Sequence, residues 1–461
     1  MNTRALLVVS LLALMASLPG SQSAGGEQAD KTPSPNDDSH IPKVFEVGPG
    51  QQYSTIEAAC AAASSGDTVL VHALDGDAPY RKPALFVSKA KIKFSAAPAK
   101  GKKYVRIDGE GFNYTGAGST PRAVFQFNKG ADGCIVEGFE IFNARNDSNN
   151  GAAIRINEAN DVTIRYCEIR NNDMGVMSNG SVADNTGANQ RFEFCLVHDN
   201  ATDKEPGYNH NFYLGGTSVV IHCCEIRNST TGHNFKSRAH FNWVEYSFVH
   251  DSSNREFDLV DGAGNTSVPG SHTVLLGNVI AKANDCTGNR AVIHFGQDGG
   301  KGHDGTLYLV NNTIVTPFAS PVIDLSAAKA GTRLLNNLVF DGGVNGQHVL
   351  VNAANGADLA NVSGECNWLS RGFDPMGAMD SKTNVLSNSE PPFVAPGRFD
   401  WRLIAGKAGE FRFGKALDKL GLPSPNDGAP TAFTVFRQYL HPLQVLLRTD
   451  AAKPFVGSGI K

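Results

Sequence analysis

The sequence predicts an all-β chain wound as a right-handed parallel β-helix, a solenoid with an N-terminal capping helix and a loop-rich C-terminal extension. Three observations predict it. A strand phrase recurs along the middle of the chain at intervals of 23 to 34 residues, the sign of stacked coils joined by loops of unequal length. Two places before its apolar anchor, each copy carries a thiol, a hydroxyl or an asparagine. A second phrase precedes each copy and alternates apolar and polar residues, as a strand buried on one side does.

The elements follow in chain order. Residues 1–24 read as a cleaved signal peptide of bacterial type: Arg4, an apolar run from Ala5 to Leu18, and small residues up to Ala24. That implies a secreted or periplasmic protein. Residues 25–43 are polar and rich in Asp, Ser and Pro, and read as a disordered leader. No later stretch is long and apolar enough to span a bilayer. The net charge of −4, with 19% charged residues, carries no basic excess and excludes a nucleic-acid partner. Nothing in the composition calls for more than a monomer.

The coils are expected over 44–360. They open with "FEVGPGQQYSTIEAACAAASSGDTVLV" at 45–71, read as a strand, a short amphipathic helix and a Gly-Asp-Thr turn. This stretch resembles the start of the pectate-lyase-like superfamily. The resemblance extends to about Phe340 and implies a helix capping the open end of the coil, where unpaired strand edges would recruit other chains. It speaks to fold, because one scaffold hosts many reactions.

The anchors are Ile169, Val197, Ile226, Val249, Ile280, Ile314 and Val339. Before them stand Cys167, Cys195, Cys224, Ser247, Asn278, Asn312 and Asn337. Stacked about 4.8 Å apart, such a column reads as buried free thiols followed by an asparagine ladder that satisfies turn backbone.

In the second phrase, Ile154, Val176, Phe212, Phe235, Phe257, Ile293 and Ile323 are expected inward. Arg155, Met177, Tyr213, Lys236, Asp258, His294 and Asp324 form one outward column. Two residues on, the same face carries Asn157, Asn179, Gly215, Arg238, Val260 and Gly296, and by a looser alignment Ala327. The triplet His-Asn-Phe occurs at 210–212 and 233–235, so His210 and His233 should stack where the chain turns into the strand. Asn211 and Asn234 are expected beside the charges. Long loops at 179–190, 198–209, 260–272 and 296–305 flank these coils and would make a groove suited to a polysaccharide.

Base, cation, phenol and imidazole on neighbouring rungs suit β-elimination from a uronic-acid glycan. Lys236 is the expected base. Arg238 would clamp the uronate, Tyr213 or His210 would protonate the leaving oxygen, and His233 joins them as a catalytic candidate. Arg238 would depress the Lys236 pKa and Asp258 would oppose it. Asn211, Asn234, Arg155, His294 and Arg255 are substrate-binding candidates. "FKSRAHFNWVEYSF" looks like the lysine-bearing coil of β-helix lyases that act on alginate or dermatan-type chains, which implies Lys236 as base. It departs from them at the partner rung, which holds Asp258, with Arg255 three residues earlier. The wider resemblance implies a calcium ion on Glu256, Asp258 and Asp261 in place of that arginine. The alternatives are a glycoside hydrolase or C5-epimerase using Asp258 and Asp261, and a non-catalytic glycan-binding or adhesin β-helix. Residues 361–461 are read as an extension packing on the coils, with Trp368 and Trp401 over the last one; Tyr439 and His441 read as packing residues.

Overall fold

The computed structural model describes residues 40–404, except 205, 263, 301, 345, 374–377, 380–381 and 399, together with 407 and 421–423. The signal peptide, most of the leader, Tyr439 and His441 lie outside the described residues. Among the described residues no helix is long and apolar enough to cross a membrane.

The chain is a parallel β-helix. Each coil lays one strand into each of three parallel sheets, of 13, 10 and 12 strands. The long sheet runs from Val44–Val47 to Ala378–Met379, and the charged sheet from Leu85–Val87 to Val351–Ala353. The anchor sheet runs from Tyr80–Arg81 to Val385–Ser387 and contains all seven anchors. The coils therefore continue beyond the expected boundary at 360: Trp368–Ser370 pairs with Val385–Ser387 in parallel. The only antiparallel strand pair among the described residues, Phe393–Ala395 with Asp400–Leu403, follows them. Leu403 packs with Trp368, Leu338 and Phe340, while Trp401 meets Phe393 edge-on at 5.1 Å. Of the expected extension at 361–461, this strand pair is the part that lies among the described residues beyond the coils.

One apolar core fills the coil from Val47 to Phe373. Down its middle Phe212, Phe235 and Phe257 stack with ring centroids 5.8 and 5.6 Å apart, each pair worth about 1 kcal/mol beyond simple burial. The expected cap is present: the helix Ile56–Ala62 turns Ile56 and Ala59 inward, and Thr55 Oγ1 accepts from Ala58 N at 3.2 Å. Asp67 of the Gly-Asp-Thr turn then accepts from the Lys43 and Ser64 amides.

The predicted ladder forms and runs further than expected. Cys224 Sγ accepts from Cys195 N, Ser247 Oγ from Cys224 N, and Asn278 Oδ1 from Ser247 N. Asn312, Asn337, Asn367 and Asn384 continue it, each Oδ1 accepting from the amide one coil earlier at 2.9–3.0 Å. The reason lies one residue upstream. Tyr166, Phe194, Cys223, Tyr246, Gly277, Asn311, Asn336 and Cys366 all have φ between 49° and 65°, a left-handed corner that turns the next amide away from the sheet and into the buried stack. All eight cysteines are free.

Candidate functional site

The outward column of the charged sheet is in the expected register. Arg155, Met177, Tyr213, Lys236, Asp258, His294, Asp324 and Asn352 pair in that order along successive strands. In the second column the rung beside Gly296 is Ser326, two residues after Asp324, not Ala327, which stands three after it and past the end of the strand.

Lys236 is at the centre. Its Nζ donates to Asp258 Oδ2 at 2.7 Å and to Asp298 Oδ2 at 3.0 Å. Arg238 Nη2 donates to the same Asp298 oxygen at 2.6 Å, and Arg238 Nε to Tyr213 Oη at 3.1 Å. Burial pulls the Lys236 pKa down, but Asp258 and Asp298 outweigh it and the net shift is upward. The net direction, which the sequence leaves open, is thus upward. Arg238, half-buried, is also raised, with Tyr213 and Asp298 overcoming its desolvation.

Asp258 anchors the cluster rather than opening onto it. Its side chain is 3% exposed. Besides Lys236 it meets His294 Nδ1 at 2.9 Å, Arg255 Nη1 at 3.3 Å and His233 Nε2 at 3.4 Å. Burial alone would push its pKa up; His233, His294 and Lys236 hold it well below the usual carboxylate range. His294 Nε2 also meets Ser326 Oγ at 2.6 Å, and Arg255 Nη2 reaches Asp324 at 3.4 Å. His294 and Arg255 thus join the cluster through Asp258.

His210 and His233 stack as expected, with centroids 5.1 Å apart and planes 23° apart. Each carries a buried ring whose Nδ1 accepts from the next coil: His210 from His233 N at 3.0 Å, His233 from Arg255 N at 3.2 Å. Burial, then neighbouring positive charge, keeps His210 neutral, and burial lowers His233 to about 4. His210 lies edge-on to Tyr213 at 5.6 Å.

Two expectations are corrected. Asn211 and Asn234 do not face substrate: both are fully buried and form a second corner ladder. Asn211 Nδ2 donates to Asn234 Oδ1 at 2.8 Å, and Asn234 Nδ2 to Glu256 Oε2 at 2.6 Å. They precede their strands, at a corner where alternation no longer assigns faces. The trio Glu256, Asp258 and Asp261 does not converge on a shared cation. Glu256 closes that ladder and faces buried Lys282 at 3.6 Å. Asp258 is held as above, and Asp261 Oδ1 accepts from the amides of Asp298 and Gly299. Among the described residues no group of three His, Cys, Asp or Glu is placed to hold a metal. Arg155 lies further up the column, with Asn179 as its partner at 3.4 Å.

Asp298 was missed. It comes from the loop at 296–305, sixty residues beyond the cations it binds. Only that loop's length and glycine content marked it in the sequence.

No family model matches the chain, and no curated protein does. Among solved structures it is similar to pectate lyase Pel9A, at a TM-score of 0.46 and 13% identity over 83% of this chain and 94% of that one. It is also similar to the PL6 family alginate lyase AlyGC, at a TM-score of 0.32 and 15% identity, over 75% of this chain and 53% of that chain.

Proposed function

We propose that the chain is a polysaccharide lyase that cleaves a uronic-acid glycan by β-elimination on the charged sheet. One observation carries the reading: a carboxylate oxygen, that of Asp298, sits between Lys236 Nζ at 3.0 Å and Arg238 Nη2 at 2.6 Å. A uronate carboxylate is the same chemical group. Asp298 is 42% exposed, so a uronate can take its place against the two cations.

The chemistry follows from that seat. Neutralising the uronate acidifies its α-proton. Lys236 takes that proton, Arg238 stays on the carboxylate, and Tyr213, bonded to Arg238, donates to the departing glycosidic oxygen. Asp258 fixes the Lys236 ammonium from below, while His294, Arg255 and His233 fix Asp258. Lys236 must first lose the proton that Asp258 and Asp298 hold on it. The rate of elimination should therefore climb with pH into the alkaline range. Hydrolysis by Asp258 and Asp261 has less support, since both side chains are buried and engaged. The N-terminal signal supports a secreted or periplasmic place of action.

The test is ultraviolet absorbance of the purified protein with a panel of uronic-acid polysaccharides. Elimination leaves an absorbing unsaturated uronate. The expected signal is lost at least a hundredfold in Lys236→Ala, in the range of removing a general base. New reducing ends without absorbance would reassign the protein as a hydrolase, and neither signal on any uronate would sink the reading.

A further inference from the structure

On the outer side of the long sheet, away from the charged column, three side chains line up in a nucleophile–base–acid order. Cys223 Sγ lies 3.4 Å from His222 Nε2, and His222 Nδ1 lies 2.7 Å from Glu245 Oε1. Glu245 is the in-register neighbour of His222 on the next strand. Cys223 occupies the left-handed corner, with φ of 51°, and lies not in the central core with Cys167, Cys195 and Cys224 but in a separate apolar cluster with Val220, Trp243 and Tyr246, where it is 4% exposed, room for a molecule no larger than peroxide. The His222 ring is braced edge-on by Phe194 at 5.3 Å and by Tyr246 at 6.3 Å. The corner position alone needs none of this, as aromatic residues occupy it in neighbouring coils.

We propose that Cys223 is an activated thiol, a modification site for hydrogen peroxide and comparably small electrophiles. His222 and Glu245 serve to hold it as a thiolate–imidazolium pair. The thiolate sulfur attacks one peroxide oxygen and the O–O bond breaks. The departing hydroxide takes the His222 Nε2 proton and leaves as water. Sulfur is oxidised to the sulfenic acid, and peroxide is the species reduced. Burial opposes a charge on His222, but its Cys223 and Glu245 partners raise its pKa to about 9. Other ionisable groups near the ring are Tyr246 and Glu193, the latter paired with Arg191 at 2.8 Å. Four other thiols supply internal controls: burial raises Cys60 to about 11 and Cys134 to about 12, and Cys167 and Cys195 well above the ordinary range.

The experiment is competitive labelling of the folded full chain, by iodoacetamide and by peroxide followed by a sulfenic-acid trap. Each site is quantified by tandem mass spectrometry, which separates Cys223 from Cys224. Cys223 should react first of the eight. His222→Asn should cut the rate at pH 6.5 about tenfold or more, with thermal melts confirming that the variant folds. A Cys223 rate no faster than that of Cys167 and Cys195 in the native chain overturns the proposal without need of the variant.

Discussion

Asp298 sets two quantities at once. It occupies the seat between Lys236 and Arg238, and it is one of the two carboxylates that raise the Lys236 pKa. Replacing it by alanine empties the seat and removes one raising charge. Asp298→Ala should therefore lower KM for a uronate oligosaccharide several-fold and move the rising limb of the pH–rate profile toward acid. A profile that stays in place, or moves to alkali, would show that Lys236 is not the titrating base. At this scale Tyr213, Lys236, Arg238, Asp258 and His294 were legible, because alternation within a regular strand assigns faces. Asn211, Asn234 and Glu256 were not. They stand at corners, where the backbone leaves the strand and the side chain follows the nearest unsatisfied amide. Asp298 is a loop residue, and no periodicity reaches it.

The corner ladders carry much of each coil's definition. Asn312 accepts from Asn278 N and Nδ2 at 2.9 and 3.1 Å, and donates to Leu275 O at 2.8 Å and to Asn337 Oδ1 at 3.1 Å. Leucine is close in size but leaves those buried partners unmet. Asn312→Leu should lower the unfolding free energy by about 2–4 kcal/mol. Cys224→Ala, at a rung held by weaker sulfur bonds, should cost about 1–2 kcal/mol. Denaturant titration of both variants checks the order, and equal losses would mean that volume rather than hydrogen bonding sets the ladder. The Cys-to-Asn column was readable because it repeats. Its left-handed neighbour was not, since tyrosine, phenylalanine, cysteine, glycine and asparagine all occupy it.

For the whole molecule, buried histidines shape stability against pH from both sides. His210 and His233 stay neutral in the fold yet protonate freely when unfolded, with His233 lowered to about 4. Stability should fall as pH drops below about 6.5. His198 and His250 are raised by carboxylate partners, and His222 by Cys223 and Glu245 to about 9. Their contribution is full below about 6.5 and is lost as pH rises through the folded values. Melting temperature should peak near neutrality and decline on both flanks; a peak near pH 9 would contradict these assignments. The solenoid itself was legible because its signal is repeated many times over. The boundary at 360 was not, because the last coils keep the ladder asparagines but lose the apolar strand phrases.

The ladders also have a direction. At every rung from Cys195 to Asn367 the amide of one coil is satisfied by a side chain of the next. A chain made from its N-terminus is thus always one acceptor short at its growing end. Each coil is finished by its successor, and a ribosome that stalls mid-coil leaves an unsatisfied amide at the tip of an otherwise completed stack.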